Sequence, residues 1–79
     1  MFTNKLIDGR HNICGAVIAH RRKELKKSQR ELADMLQLAG LDVDKNAIQR
    51  IEAGKRFVTD IELTYFSKVL KLSYEELLR

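Results

Sequence analysis

The sequence predicts an all-α fold, a compact bundle of about five short helices. Three observations predict it. A hydroxyl residue followed three positions later by glutamate occurs at Ser28/Glu31, Thr59/Glu62 and Ser73/Glu76. Each pair has the form of a capping box, in which two side chains satisfy orphan backbone N–H groups at a helix start. Aliphatic residues recur at three- and four-residue spacing, and no stretch alternates as a half-buried strand does. The chain also has no proline, the residue that most strongly interrupts helices.

Size and composition bound the rest. Seventy-nine residues make one small domain with one modest core. A hydrophobic fraction of 44% beside 33% charged residues suits a folded chain rather than a disordered one. No apolar run approaches ~18 residues, so no membrane span is expected. MFTNKLIDGRHN lacks the apolar centre of a secretion signal. The single cysteine, Cys14, cannot form an internal disulfide, which points to a reduced, cytoplasmic compartment. Residues 1–56 hold 12 basic and 7 acidic side chains, whereas 57–79 hold 3 and 4. The basic excess therefore sits in the first part of the chain and suits a polyanionic partner.

The elements follow in order. Residues 1–12 show no period and contain Gly9, so they read as an N-terminal arm, and 13–79 as the domain. Two readings stand for Lys5, Arg10 and His11 of the arm: a reach along a nucleic acid, or a frayed terminus. From Ile13 to about Lys26, Cys14, Ile18, Arg22 and Leu25 share one inward face that Val17 widens, with an arginine embedded in it. Ser28 opens the second helix, whose buried stripe is Leu32, Met35 and Leu36, and Gly40 is its natural stop. Leu41 to Val43 connect to a third helix capped by Asp44 and running to about Ala53, with Ala47, Ile48 and Ile51 inward. Thr59 opens a fourth through Leu70, with Ile61, Leu63, Phe66 and Leu70 as core. Leu72 plugs a corner, and Ser73 opens a last turn that buries Leu77.

Chemistry is scarce. His11 and His20 have no serine, cysteine or carboxylate at relay spacing, and no Cys/His set has metal-ligand spacing. No glycine-rich loop is present to cradle a phosphate. The expectation is no enzyme, no metal and no cofactor. The third helix offers a different chemistry. Lys45, Asn46, Gln49 and Arg50 fall at i, i+1, i+4 and i+5, so they share the face opposite the aliphatic one. Asn and Gln pair bidentately with adenine, and Arg or Lys with guanine, in the major groove. Gln29 lies at the start of the second helix, where backbone N–H groups favour an anion. Arg30 follows it, and Lys55 and Arg56 follow the third helix, positions from which phosphates can be met.

SQRELADML, then V-x-x-x-x-I-x-x-IEAGKR, resembles the helix-turn-helix domain of phage repressors and Cro-like proteins. This is the Cro/CI, or xenobiotic-response-element, type with a lambda-repressor-like fold. The likeness covers roughly Ile13 to Leu78. It rests on Ser28-Gln29, Leu32-Ala33, Ile48, Ile51-Glu52, Gly54 and the Leu70–Leu77 closure. The resemblance implies a third helix in the major groove, with Lys45, Asn46, Gln49 and Arg50 facing bases and Gln29 on a phosphate. It also implies that Arg22 pairs with Glu52, which answers the oddity of a charge on an aliphatic face. Arg21 is the substitute for that role.

Three features depart from the family pattern. About five extra residues separate Leu36 from Val43, Asp42 stands where glycine is typical, and Ser67 where alanine is. A second helix one turn longer, ending at Gly40, is the expected accommodation. The functional expectation is a sequence-specific regulator of transcription on double-stranded DNA, a repressor working as a homodimer, formed in solution or only on the DNA. The alternative is an antitoxin-like module of the same fold whose main partner is a protein, with Phe57, Tyr65 or Tyr74 at the interface.

Overall fold

The structure, a computed structural model, describes residues 9–79. Lys5 lies outside the described residues. Five helices follow one another: α1 (Gly15–Glu24), α2 (Gln29–Ala39), α3 (Lys45–Glu52), α4 (Asp60–Leu70) and α5 (Tyr74–Leu77). No strand occurs among the described residues.

Local chemistry sets the helix boundaries. At Ser28, Thr59 and Ser73 both halves of the capping box are formed, hydroxyl to the third amide and glutamate back to the cap amide. α1 is shorter than the spacing predicts, because Lys26 turns into the left-handed region at φ 57° and ends it. Ile13, ahead of it, is exposed. α2 has its extra turn and stops at Gly40, whose φ of 112° suits a residue without a Cβ. The Leu41 amide then reaches back to the Leu36 carbonyl at 2.9 Å, closing the helix end.

One aliphatic core joins the helices. Cys14 and Ile18 of the first segment, Leu32 and Leu36 of α2, Ile48 and Ile51 of α3, and Phe66, Leu70 and Leu77 are all fully buried. Met35 is only half-buried at the edge of its stripe. Ile61 corrects the sequence reading, because it is 66% exposed. Phe66 lies five residues on, about 140° around a helix of 3.6 residues per turn, so both cannot face inward. The α4 face that follows Phe66 and Leu70 back by fours arrives at Glu62, which is buried. Burial leaves Cys14 a small hydrophobe and pushes its thiol pKa up, away from nucleophilic chemistry.

Ser67, the small departure from the pattern, has work of its own. Its hydroxyl donates to the Leu72 carbonyl at 2.5 Å, tying α4 to the corner that Leu72 fills. Arg21 donates to the Leu70 carbonyl at 2.9 Å and so closes the C-terminus of α4 from α1. It takes no part in pairing with Glu52.

Candidate nucleic-acid interface

α3 presents two opposite faces. Ile48 and Ile51 are fully buried against the rest of the bundle, and Lys45, Asn46, Gln49 and Arg50 are all exposed. None of those four side chains makes a hydrogen bond or ion pair with other described residues. A one-helix surface of two amide and two cationic side chains therefore stands open to a partner.

Its start is fixed by Asp44, whose carboxylate accepts the Ala47 amide at 2.8 Å. The long connection ahead of it is not slack. The Gln37 side chain donates to the Val43 carbonyl at 2.7 Å, and Val43 itself is buried. Arg30 of α2 and Lys45 of α3 line one shallow depression with Gln37, and Asp34 and Asp44 lie in the same depression. Cations from both helices thus meet there, beside two carboxylates that oppose an anion.

The end of α3 is braced by charge. Arg22 grips Glu52 with two parallel bonds, Nε to Oε2 at 2.7 Å and Nη2 to Oε1 at 3.0 Å. Its remaining terminal nitrogen donates to the Lys27 carbonyl at 2.7 Å. Both side chains are about nine-tenths buried, and the hydrogen bonds with Glu52 raise the arginine pKa still further. A buried pair is tolerable only when its lone pairs and protons are used, as they are here. Gln29 joins the same carboxylate, Nε2 to Oε1 at 3.0 Å, a contact that the sequence does not signal. An amide nitrogen carries two protons, so this bond leaves one unused.

Beyond the helix, the two cations expected to flank it are treated differently. Lys55 is exposed and has no partner among the described residues. Arg56 is turned toward α4, where it meets Glu62 at 3.0 and 2.7 Å and donates to the Phe57 carbonyl at 2.9 Å. That pairing holds the Glu62 carboxyl below the usual carboxylate range despite its burial. Arg30 is exposed and likewise has no partner among the described residues.

The last residues of the arm pack back onto this site. Arg10 donates to the Glu52 carbonyl at 3.1 Å, and the His11 amide to the Gly54 carbonyl at 2.8 Å. The His11 ring stands edge-on to Phe57, with centroids 4.7 Å apart. Asn12 donates from Nδ2 to the carbonyls of Ile51 and Arg56, at 3.0 and 2.8 Å. Nothing in the sequence around Asn12 signals those contacts, since they span some forty residues. The sequence reading treats this segment as an arm, and its described end is part of the folded unit.

A sequence profile described as Helix-turn-helix matches residues 18–77, which takes in all of α2 to α5 and most of α1. The chain belongs to the helix-turn-helix family. It is of the Cro/CI, xenobiotic-response-element type, a family of DNA-binding transcription regulators rather than enzymes. No curated protein and no solved structure matches it. α2 and α3 are the two helices of the helix-turn-helix unit. Among the described residues no helix is long and apolar enough to cross a membrane, and no cluster of three metal-ligating side chains occurs.

Proposed function

We propose that this helix-turn-helix protein is a cytoplasmic, sequence-specific repressor of transcription that reads the major groove of double-stranded DNA with α3. The observation that carries the reading is the sorting of its polar side chains. Arg21, Arg22 and Arg56 are engaged with carbonyls and carboxylates of the fold. Lys45, Asn46, Gln49 and Arg50, with Arg30 and Lys55 beside them, are exposed and unengaged among the described residues. On this reading Lys45, Asn46, Gln49 and Arg50 meet base edges, and Gln29, Arg30 and Lys55 meet phosphates. Arg56 joins them only by sharing its guanidinium with Glu62. A single eight-residue helix reads few base pairs, so two copies on a palindromic site supply the needed specificity. The protein works as a homodimer, formed on the DNA if not before.

The protein-partner alternative draws on the exposed Leu38, Ile61 and Tyr74. It leaves the polar face of α3 without a task, and the DNA reading is preferred for that reason.

Selection of bound duplexes from a random pool, followed by titration at rising salt, tests the proposal. Counterion release predicts affinity falling steeply with salt. Gln49→Ala and Arg50→Ala are expected to lose about 1–3 kcal/mol on the selected duplex and little on a scrambled one. Lys55→Ala is expected to weaken both about equally. No binding at low salt would sink the DNA reading, and a Gln49→Ala variant that keeps its specificity would sink the assignment of base contacts.

A further inference from the structure

The amide of Asn12 sits where three segments meet, and its two ends do different things. Its oxygen accepts the amide of Gly15 at 2.8 Å, at the start of α1. Its nitrogen donates both protons away, to Ile51 in the last turn of α3 and to Arg56 in the loop after it. The joint is tight: a Cβ on Gly15 would collide with the Ile51 carbonyl, and one on Gly54 would come within 2.7 Å of the Arg10 guanidinium. Carbonyls in the last turn of a helix lack an i+4 donor; the Ile51 carbonyl takes the Gly54 amide at 3.0 Å, and Asn12 is the donor that ties it to another segment. Arg10 supplies a second donor there, to the Glu52 carbonyl.

We infer that Asn12 is a positioning residue for the reading helix: it clamps the C-terminal turn of α3 and the loop carrying Lys55 onto the start of α1. The inference rests on the DNA reading for its functional half, and its structural half is independent. Base readout needs donors held within fractions of an ångström, and loosening the last turn swings Gln49 and Arg50 relative to Lys55. The clamp therefore acts on specificity, with charge attraction to the duplex left intact.

Asn12→Asp separates the two ends of the amide. It keeps an oxygen for Gly15 and removes both donors to Ile51 and Arg56. Asn12→Ser, a hydroxyl too short to span both carbonyls, serves if the aspartate variant fails to fold. Amide hydrogen exchange, read without DNA, is expected to accelerate at least about tenfold at Gly54 and Lys55, whose amides bond to Ile51 and Arg50, and to stay unchanged at Ile18. The neutral Asn12→Ser variant carries the duplex measurement, because an added carboxylate would itself repel phosphates: on the duplex selected by the wild type its affinity is expected to fall about tenfold, with less than about a twofold change on a scrambled duplex. Exchange that is unchanged, or faster everywhere alike, overturns the clamp. A folded variant that keeps its specificity overturns the positioning role. A wild-type protein that binds no duplex fails the DNA reading instead, and the exchange pattern still decides the clamp.

Discussion

The two ends of α3 are held by different means. At its start the helix has a single side-chain cap, Asp44, and a connection held by local bonds, the Gln37 side chain to the Val43 carbonyl and the Leu41 and Val43 amides to the carbonyls of Leu36 and Leu41. At its end Glu52 is gripped by Arg22 and Gln29, and the backbone carbonyls of the last turn are taken by Arg10 and Asn12. Four residues from three parts of the chain converge on one helix turn. The difference teaches where the angle of the helix is decided. Side chains from outside the α2–α3 connection hold the C-terminal turn, so the orientation of the helix is expected to be more sensitive to changes there than at its start. Such an arrangement tolerates a longer connection between α2 and α3, because that connection carries little of the positioning.

The harshest way to break the comparison is to leave Glu52 without its partner. Arg22→Met removes one member of a buried pair, for which a loss of about 3–5 kcal/mol is typical. A domain of this size holds only about 4–12 kcal/mol in all. Urea unfolding is expected to show the variant largely unfolded or nearly so, and a loss below about 1 kcal/mol would mean the end of α3 is not its anchor. Asp44→Ala acts at the other end. It is expected to cost about 1 kcal/mol, the worth of a typical N-cap. Because it also removes a carboxylate beside Arg30 and Lys45, its affinity for a scrambled duplex at low salt is expected to hold or rise. A fall confined to the selected duplex would show the cap to be part of the reading geometry.

Acid titration gives the smallest effect. Glu62, paired with Arg56 in the loop that Asn12 also holds, has a carboxyl pKa lowered from 4.5 in the folded protein. A depressed carboxyl contributes stability that is fully present above the unfolded pKa and disappears as pH falls through the folded one. Stability is therefore expected to drop on acidification from about pH 5 downward, by under about 1.4 kcal/mol per pH unit from this group. Glu62→Gln is expected to be less stable at pH 7 and to lose part of that acid slope. An unchanged slope would mean that the Arg56 pair contributes nothing to folding in solution.

Much of the fold and part of the site are legible in the order of residues. The capping boxes are local, three residues long, and they place three helix starts without reference to the rest of the chain. The polar face of α3 follows from helical spacing alone. The Arg22–Glu52 pair is legible for a different reason: an arginine on an aliphatic face must find a carboxylate, and the family likeness names one. Ile61 misleads because its residue type suggests core while its angular position on α4 points outward. Gln29 bonding to Glu52, Arg56 turning toward Glu62 and Gln37 bridging to Val43 leave no mark in the sequence, since polar residues at exposed-looking positions are equally suited to solvent.

The sequence by itself determined the helices, their aliphatic faces and the chemical character of the α3 surface, because those depend on backbone capping and on the 3.6-residue period. Only the tertiary structure decided which polar side chains hold the fold and which stand open to a partner. Hydrogen bonds between residues thirty to forty positions apart depend on where the packed helices bring their ends, and the amino-acid order carries no local trace of that.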